Sequence, residues 1–380
     1  MFSGGTNAWP VAYKFFMLIL LISFIASALM GMLILRYQHL HDRFSGDHDI
    51  SGVQKFHVHI APRIGGIAVI VGIFFGLASR YWVDQSVWHL AMLVLLSACP
   101  AFSAGLIEDL TKKVSVRMRL GATLLSAGLA GYLLGAWIVN VQIIGLDYLL
   151  SISWVAVLFT CFAVAGLSNA FNLIDGYNGL VSGVSVIILL AIGYVGFEVH
   201  DFLIMACSFA GIGALAGFLL WNYPRGLLFL GDGGAYLLGF WIAELSILLV
   251  TRNPQVSKWF PVLVCFYPIF ETLFTIYRRV ILKKTNAGQP DAVHLHQIIF
   301  RRLVRWSVGT RDVVLLTQRN SLTSLYLWLL CALAVAPAVV FWRNHWALKF
   351  FVVLFGCTYI WLYRSLVKFK MPKWFVIRNQ

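Results

Sequence analysis

About eleven long apolar runs dominate this chain of 380 residues and leave little room for any other architecture. A helix that crosses a bilayer needs roughly 20 apolar residues, and within lipid a single segment satisfies its own backbone groups only as a helix. The sequence therefore predicts an all-α, polytopic membrane bundle of about 10–11 transmembrane helices. The runs lie at residues 12–35, 65–80, 88–107, 119–138, 151–167, 180–197, 202–221, 235–251, 259–277, 322–342 and 346–363.

Composition excludes an ordinary soluble domain. Hydrophobic residues make up 60% of the chain and charged residues 12%, whereas about a quarter of a soluble domain is charged. The net charge of +14 fits loops that face an anionic leaflet and an anionic substrate, so no nucleic-acid partner is expected. The six cysteines lie in or beside apolar runs without a CxxC pair, which predicts packing residues and not disulfides.

The distribution of Lys and Arg predicts the orientation. If the N-terminus lies outside, the inside loops are residues 36–64, 108–119, 168–179, 222–234, 278–321 and 364–380. These loops contain all 29 Lys and Arg except Lys14, Arg80, Arg252, Lys258, Arg343 and Lys349. Cytoplasmic loops are enriched in these residues, so we expect a periplasmic N-terminus and a cytoplasmic C-terminus in the cell inner membrane. The same assignment places the acidic and histidine clusters on the cytoplasmic face, although those residues were not used to derive it.

The polar stretch SNAFNLIDGYNGL, residues 168–180, interrupts two apolar runs. Polar side chains at the mouth of apolar helices are costly unless they have a use. Their oxygens suit a hard cation such as Mg²⁺ that is shared with substrate phosphates. A capped turn between two helices is the alternative, because Asn and Asp are ordinary N-caps. The stretch contains Asn169, Asn172, Asp175 and Asn178.

Two adjacent acids, Glu108 and Asp109, follow the third apolar run. Neighbouring carboxylates can share a metal, or one of them can act as a base. An acidic and then basic connection between helices is the alternative. The basic residues that follow, and that we assign to substrate binding, are Lys112, Lys113, Arg117 and Arg119.

Three further clusters carry groups that suit a phosphate or a metal. Asp232 is a lone acid among glycines in FLGDGGAYLLGF, which predicts a metal ligand or a capped turn. Basic groups before a helix that starts at Gly65 suit phosphate or a cytoplasmic anchor. The long basic loop is predicted to recognise phosphate or nucleotide, because its two histidines lack the thiol companions of many zinc sites. The residues of the second and third clusters are Lys55, His57, His59, Arg63, His294, His296, Arg301 and Arg302.

Acids that bind a divalent metal, together with cations that bind phosphates, suit the transfer of a phosphate-bearing group. A membrane location implies that one substrate is a lipid. Three rival hypotheses are a secondary transporter, a CDP-alcohol type of phosphotransferase and a catalytically idle scaffold. A transporter would place ionisable residues near the middle of the bilayer, and a CDP-alcohol enzyme would continue the Asp175 motif with further acids.

The ordered motifs QKFHVHIAPRIGG, GLIEDL, SNAFNLIDGYNGL, FLGDGGAYLLGF and DAVHLHQ resemble the polyprenyl-phosphate N-acetylhexosamine-1-phosphate transferase superfamily, of glycosyltransferase family 4 type. The resemblance covers roughly residues 50 to 300 of a single domain that spans residues 1–380. Residues 321–380 add two apolar runs and a basic tail. Five motifs in the family order are far more specific than any single one.

The resemblance implies transfer of a sugar-1-phosphate, such as N-acetylglucosamine 1-phosphate, from a UDP-sugar to undecaprenyl phosphate, with release of UMP. It implies Mg²⁺, with Mn²⁺ as an alternative, and initiation of a cell-envelope polysaccharide. Asp232, with Asn172, would ligate the metal. The acids Glu108 and Asp109 would act as base or position the lipid phosphate, Asp175 would line the nucleotide–metal site, and His294 and His296 would lie near the diphosphate and sugar. A homodimer is left open.

The sequence departs from the common family pattern at four positions. These are Glu108 for the first acid of the pair, Asn178 for an aspartate, Gln297 for a histidine and Ala235 for a serine. The first change lengthens a side chain by one methylene, and the second removes the carboxylate from residue 178. The departures leave the sugar donor open.

Overall fold

The computed structural model describes residues 8–46, 61–282, 294–304 and 313–368. Lys55, His57 and His59 lie outside the described residues. The helices are α1 (Ala8–Arg36), α2 (Gln38–Ser45), α3 (Gly65–Ala78), α4 (Gln85–Thr111), α5 (Val116–Leu134), α6 (Leu146–Leu150), α7 (Ser153–Ile174), α8 (Leu180–Glu198), α9 (Phe202–Asn222), α10 (Gly231–Arg252), α11 (Trp259–Val264), α12 (Phe266–Ile276), α13 (Leu295–Ile298), α14 (Val313–Val340) and α15 (His345–Val367). Short π-helical segments, Tyr277–Leu282 and Ile299–Val304, extend α12 and α13.

The chain is an all-α, multi-pass membrane protein, as predicted. Within the described ranges, nine helices are long and apolar enough to cross a membrane. They are Phe15–Arg36, Gly65–Trp82, Gln85–Thr111, Ser153–Ile174, Leu180–Glu198, Phe202–Asn222, Gly231–Arg252, Arg319–Val340 and His345–Val367. Two predicted runs are not among them. Run 119–138 forms α5, which begins with two arginines and is less apolar, and run 259–277 is divided between the short helices α11 and α12.

Helix α10 lies at the centre of the bundle, and its position decides where the site is. It contacts α3, α4, α5, α7, α8 and α9, and nearly every residue from Gly231 to Val250 is buried. A helix that is apolar around its whole circumference is stable only when other helices surround it. The N-terminus of α10 carries Asp232, so the surrounding helices bring their own polar ends to this carboxylate.

Glycines allow α3 and α4 to approach the first turn of α10 closely. A Cβ atom on Gly66 would lie 2.5 Å from the backbone nitrogen of Gly234, and one on Gly105 would lie 2.6 Å from Cα of Gly233. Small residues at helix interfaces in membranes permit this kind of backbone contact. The close approach brings Asp109, one turn beyond Gly105, to the start of α10.

We expect Gly105→Ala to destabilise the protein by about 1–3 kcal/mol, because the added methyl group meets backbone and not a movable side chain. The change should also lower activity, since it pushes α4 away from α10. The measurement is the thermal unfolding midpoint of the purified protein in detergent. Gly121→Ala in α5 is the matched control, because its Cβ would meet no atom within 4 Å. Equal midpoints for the two variants would contradict the close-contact explanation.

The six cysteines are free, which confirms the prediction that they are not a disulfide framework. Cys207, Cys265 and Cys331 are buried among apolar side chains. They act as small apolar packing residues.

Candidate active site

The first turn of α10 is shaped by a short crossing with the segment before α3. The amide of Phe229 donates to the carbonyl of Pro62, and the amide of Gly65 donates back to the carbonyl of Phe229, both at 2.9 Å. Gly231 has a φ of +76°, and a Cβ atom there would lie 2.0 Å from the carbonyl oxygen of Arg63. Glycine is therefore required at this position, and the crossing sets Arg63 beside Asp232.

Asp109 anchors the N-terminus of α10. Its Oδ1 accepts the backbone N–H of Asp232 and its Oδ2 accepts that of Gly233, both at 2.9 Å. The residue is 1% exposed. The first amides of a helix have no partner within the helix, and a negative charge near them is favourable. This contact fixes the backbone that carries Asp232, a role that the sequence did not predict.

The carboxylate of Asp232 lies between an amide and two guanidinium groups. Its Oδ1 accepts from Nδ2 of Asn172 at 3.1 Å and lies 3.6 Å from a terminal nitrogen of Arg63, while its Oδ2 forms an ion pair with Arg119. Nε of Arg63 also lies 4.0 Å from Oδ1 of Asp109. The side chains of Asp232 and Arg119 are 14% and 12% exposed, so the cluster is partly shielded from water. Four residues predicted from separate motifs thus meet in one place.

Asn169 joins the same cluster through α10. The guanidinium of Arg119 lies over the ring of Tyr236, 5.7 Å from its centroid. The hydroxyl of Tyr236 donates to Oδ1 of Asn169 at 3.4 Å. Asn169 and Asn172 are one turn apart on α7 and therefore share a face.

Asp175 ends α7 and lies next to this cluster. Its removal from water raises the pKa of its carboxyl to about 7, and the positive charge of Arg63 opposes the rise. Such a pKa allows a carboxyl to hold or release a proton near neutral pH. The environment of Asp175 therefore suits proton transfer.

Residues outside the predicted motifs hold the loop after Asp175. Oδ1 of Asn222 accepts the Gly179 amide at 2.6 Å, and Oδ1 of Asn320 accepts the Asn178 amide at 2.7 Å. The hydroxyl of Ser324 donates to the carbonyl of Asn178 at 2.7 Å. Asn178 is 3% exposed, so these contacts hold a buried part of the loop.

His296 reaches the loop from the other side. A Cβ atom on Gly176 would lie 3.6 Å from Nε2 of His296, and the His296 and Tyr177 rings meet edge to face at 5.4 Å. Burial lowers the pKa of His296 to about 3, so the ring is neutral at physiological pH. His294 stacks on His296, with centroids 5.3 Å apart and planes 10° apart.

Several predicted site residues have structural contacts in place of a position at Asp232. Oε2 of Glu108 accepts the Val114 amide at 2.7 Å and thereby shapes the turn into α5. Arg302 donates to the Leu366 carbonyl at 2.7 Å and also to that of Val367, at the end of α15. The other predicted substrate-binding residues that are exposed are Lys112, Lys113, Arg117 and Arg301. The catalytic role of Glu108 and the substrate-binding roles of the other five residues stay predictions.

The donor set at Asp232 fits Mg²⁺ better than a metal held by protein alone. Among the described residues, no group of three or more His, Cys, Asp or Glu side chains is arranged to hold a metal ion. Mg²⁺ is commonly bound through one or two carboxylates together with waters and substrate phosphates. The carboxylate of Asp232 and the remaining oxygen of Asn172 match that pattern. Hard oxygen donors equally suit Mn²⁺.

Sequence reasoning missed the supporting residues. Asn222, Asn320 and Ser324 gave no signal, because each stands in or beside an apolar run as an ordinary polar residue. Glu271 did carry a signal, since it is a lone acid within the run at residues 259–277, where a charge is costly to bury.

The chain is similar to known transferases over much of its length. The model of the family described as "Glycosyl transferase family 4" matches residues 90–250. A protein of Bacillus subtilis (strain 168) named "Probable undecaprenyl-phosphate N-acetylglucosaminyl 1-phosphate transferase" is 31% identical over 69% of this chain and 71% of its own length. Proteins named "Undecaprenyl-phosphate alpha-N-acetylglucosaminyl 1-phosphate transferase" match from Escherichia coli O157:H7, at 31% identity over 67% of this chain and 69% of their own, and from Thermotoga maritima, at 27% over 67% and 72%. The matched region contains Asp109, Arg119, Asn172, Asp175 and Asp232, and the chain belongs to glycosyl transferase family 4.

Proposed function

We propose that the protein transfers N-acetylglucosamine 1-phosphate, or a closely related N-acetylhexosamine 1-phosphate, from a UDP-sugar to undecaprenyl phosphate. UMP is the second product. Two findings support this function: the activities named for the relatives, and the carboxylate of Asp232 between Arg63, Arg119 and Asn172. A carboxylate for a divalent cation, set beside two guanidinium groups for phosphate oxygens, is the arrangement that phosphoryl transfer requires.

An apolar groove beside the site suits the prenyl chain of the acceptor. A cavity of about 360 Å³ lies between α7, α10, α11 and α12, and its lining is almost wholly apolar. It is lined by Phe162, Leu167, Ile247, Ile269 and Leu273, and it reaches Ala170. Ala170 lies between Asn169 and Asn172 along α7, so the end of the groove is level with the polar cluster, and a prenyl chain there would hold its phosphate head near the cluster.

The residues of this chain can position both phosphates without forming a covalent intermediate. An oxygen of the lipid phosphate attacks the sugar-proximal phosphorus of the diphosphate, and the bond from that phosphorus to UMP breaks. Arg63 and Arg119 would bind the phosphate oxygens as bidentate donors. Mg²⁺ bound at Asp232 and Asn172 would supply further neutralisation of the diphosphate charge.

A strong base is not required for the attack. The second pKa of a phosphate monoester is near 6, so the acceptor is largely ionised at neutral pH. Asp175, with its pKa raised to about 7, could take the remaining proton. This assigns proton transfer to Asp175 and anchoring to Asp109, in place of a base at Glu108 or Asp109.

We further propose where the active site lies and what kind of polymer the product begins. The Lys and Arg distribution supports an active site on the cytoplasmic face of the inner membrane, where nucleotide sugars are made. The product would begin a cell-envelope polysaccharide, such as an O-antigen or a teichoic-acid-like polymer. Protease accessibility of the 36–64 loop in inside-out and right-side-out vesicles would test the orientation.

The deciding experiment is release of UMP by the purified protein with Mg²⁺, undecaprenyl phosphate and a panel of UDP-sugars. Activity with one UDP-N-acetylhexosamine, dependent on the lipid, is the expected result. Exchange of labelled UMP into the donor in the absence of lipid would contradict direct attack and favour a covalent intermediate. If the folded protein released no UMP with any donor and carried sugar into vesicles, the transporter hypothesis would be favoured.

A further inference from the structure

A buried acid outside the matched region supports the histidine motif. Glu271 on α12 is 1% exposed, and its Oε1 lies 3.3 Å from Nδ1 of His294. The same oxygen accepts the Leu295 amide at 3.2 Å, and Oε2 accepts the hydroxyl of Tyr359 from α15. The Leu295 amide and the Tyr359 hydroxyl each donate to one oxygen of the carboxylate, so both oxygens have a donor that suits the ionised form.

This arrangement fixes a tautomer. An ionised carboxylate only accepts hydrogen bonds, so His294 meets Glu271 with a proton on Nδ1. Which ring nitrogen is protonated is set by the bond that the other one makes. The hydroxyl of Thr275, 3.2 Å from the same Nδ1, further restricts rotation of the ring.

The orientation of the His294 ring affects the loop that carries Asp175. The His294 ring stacks on His296, and Nε2 of His296 faces Gly176, the residue after Asp175. Rotation of His294 would therefore disturb a ring that packs against the loop carrying Asp175.

Packing of α12 against α15 does not require the buried carboxylate of Glu271. The ring of Tyr359 already packs edge to face on Phe270 and Phe274, with centroids 4.9 Å and 5.5 Å away. A buried charge is costly to desolvate and is weak evidence for stability alone. Aromatic packing joins the helices, whereas the carboxylate meets the histidine.

We propose that Glu271, held by Tyr359, is a positioning residue that fixes the orientation and tautomer of His294 for the transfer reaction. This inference rests on the proposed function. Residues of α12 and α15, both outside the matched range 90–250, thereby become part of the support of the active site.

The test is a double-mutant cycle between Glu271→Gln and His294→Gln, with UMP release measured at saturating lipid. Glu271→Gln is expected to lower kcat by about 10–100-fold, as for other residues that orient a functional histidine, and to change the KM for the donor by less than about threefold. In the His294→Gln background the same change should cost less than about threefold, because residues that act through one another are not additive. A merely structural acid would cost the same in both backgrounds, and that result would overturn the proposal.

Glu244→Gln is the matched control, because Glu244 is an equally buried acid on α10 and should leave kcat unchanged. If Glu271→Gln shows no thermal unfolding transition, Tyr359→Phe replaces it in the test. Tyr359→Phe is expected to lower kcat by about fivefold to tenfold, and this loss should vanish in the His294→Gln background. An active wild type with Glu271→Gln within threefold of it would contradict only the positioning role. A wild-type protein that releases no UMP with any donor would overturn both the proposed function and the positioning role.

Discussion

Asp232→Asn is expected to lower the rate of UMP release by about 10³-fold or more. Phosphoryl transfer depends almost entirely on positioning and on charge stabilisation, and Asp232 is the carboxylate to which Arg63, Arg119 and Asn172 converge. The asparagine keeps the size of the side chain but removes the charge that would hold a divalent cation. It also removes the counter-ion of Arg119 and one of the two carboxylates beside Arg63.

Binding of Mn²⁺, followed by electron paramagnetic resonance of the purified protein, separates loss of the cation from loss of the fold. We expect Asp232→Asn to weaken Mn²⁺ binding at least tenfold, since a ligand is lost, while the thermal midpoint stays measurable. A variant that binds Mn²⁺ as the wild type does would show that the cation is held elsewhere. Retention of more than a tenth of the activity would likewise rule out the assigned role.

Asp201→Asn is the matched control, because Asp201 is also a buried carboxylate paired with an arginine at an end of α10. Its Oδ2 accepts from Nε of Arg252 at 2.7 Å and from Asn253 at 3.1 Å. The 22 residues of α10 place this pair roughly 30 Å from Asp232. Asp201→Asn should lower the unfolding temperature but leave the rate per folded molecule unchanged.

The fold was largely predictable because lipid restricts the backbone to helices. Runs of apolar residues fixed the elements, and nine of them are long enough in the described ranges to be spans. The break in run 259–277 is signalled by Pro268, which has no N–H to donate to the carbonyl of Val264, the last residue of α11, although apolar character alone does not show it. The break lets α12 present Glu271 to a histidine loop that is distant in sequence.

The site was predictable as a set of motifs but not as a geometry. Periodicity places Asn169 and Asn172 on one face of a helix, yet it cannot show that Asn172 donates to a carboxylate 60 residues away. The roles of the paired acids were likewise hidden. Asp109 and Glu108 point to different backbone amides, because adjacent helical residues face about 100° apart.

Asp109→Asn is expected to destabilise the protein by about 2–3 kcal/mol and to lower the rate of UMP release by about 10²-fold. The carboxylate accepts two backbone amides at 2.9 Å while 1% exposed. An asparagine has one accepting oxygen, so one amide at the start of α10 loses its partner or faces an NH₂ group. The displaced first turn would then carry Asp232 away from Asn172. Thermal unfolding and UMP release on the same preparation measure both effects.

Two controls separate an anchor from a general base. Asp84→Asn changes a carboxylate that also accepts two backbone amides, at the start of α4. Asparagine is as good an N-cap there, so the rate should stay near wild type, whatever stability is lost with the ion pair to the buried Arg80. Glu108→Gln should cost about 1 kcal/mol through its contact with Val114 and less than about fivefold in rate. If Asp109→Asn instead lost rate with no loss of stability and with unchanged Mn²⁺ binding, Asp109 would be acting on the acceptor phosphate. Loss of an anchor displaces the first turn of α10 and lowers both the rate and the stability, whereas loss of a base lowers the rate alone. Measuring both quantities for Asp109→Asn therefore decides between the two roles.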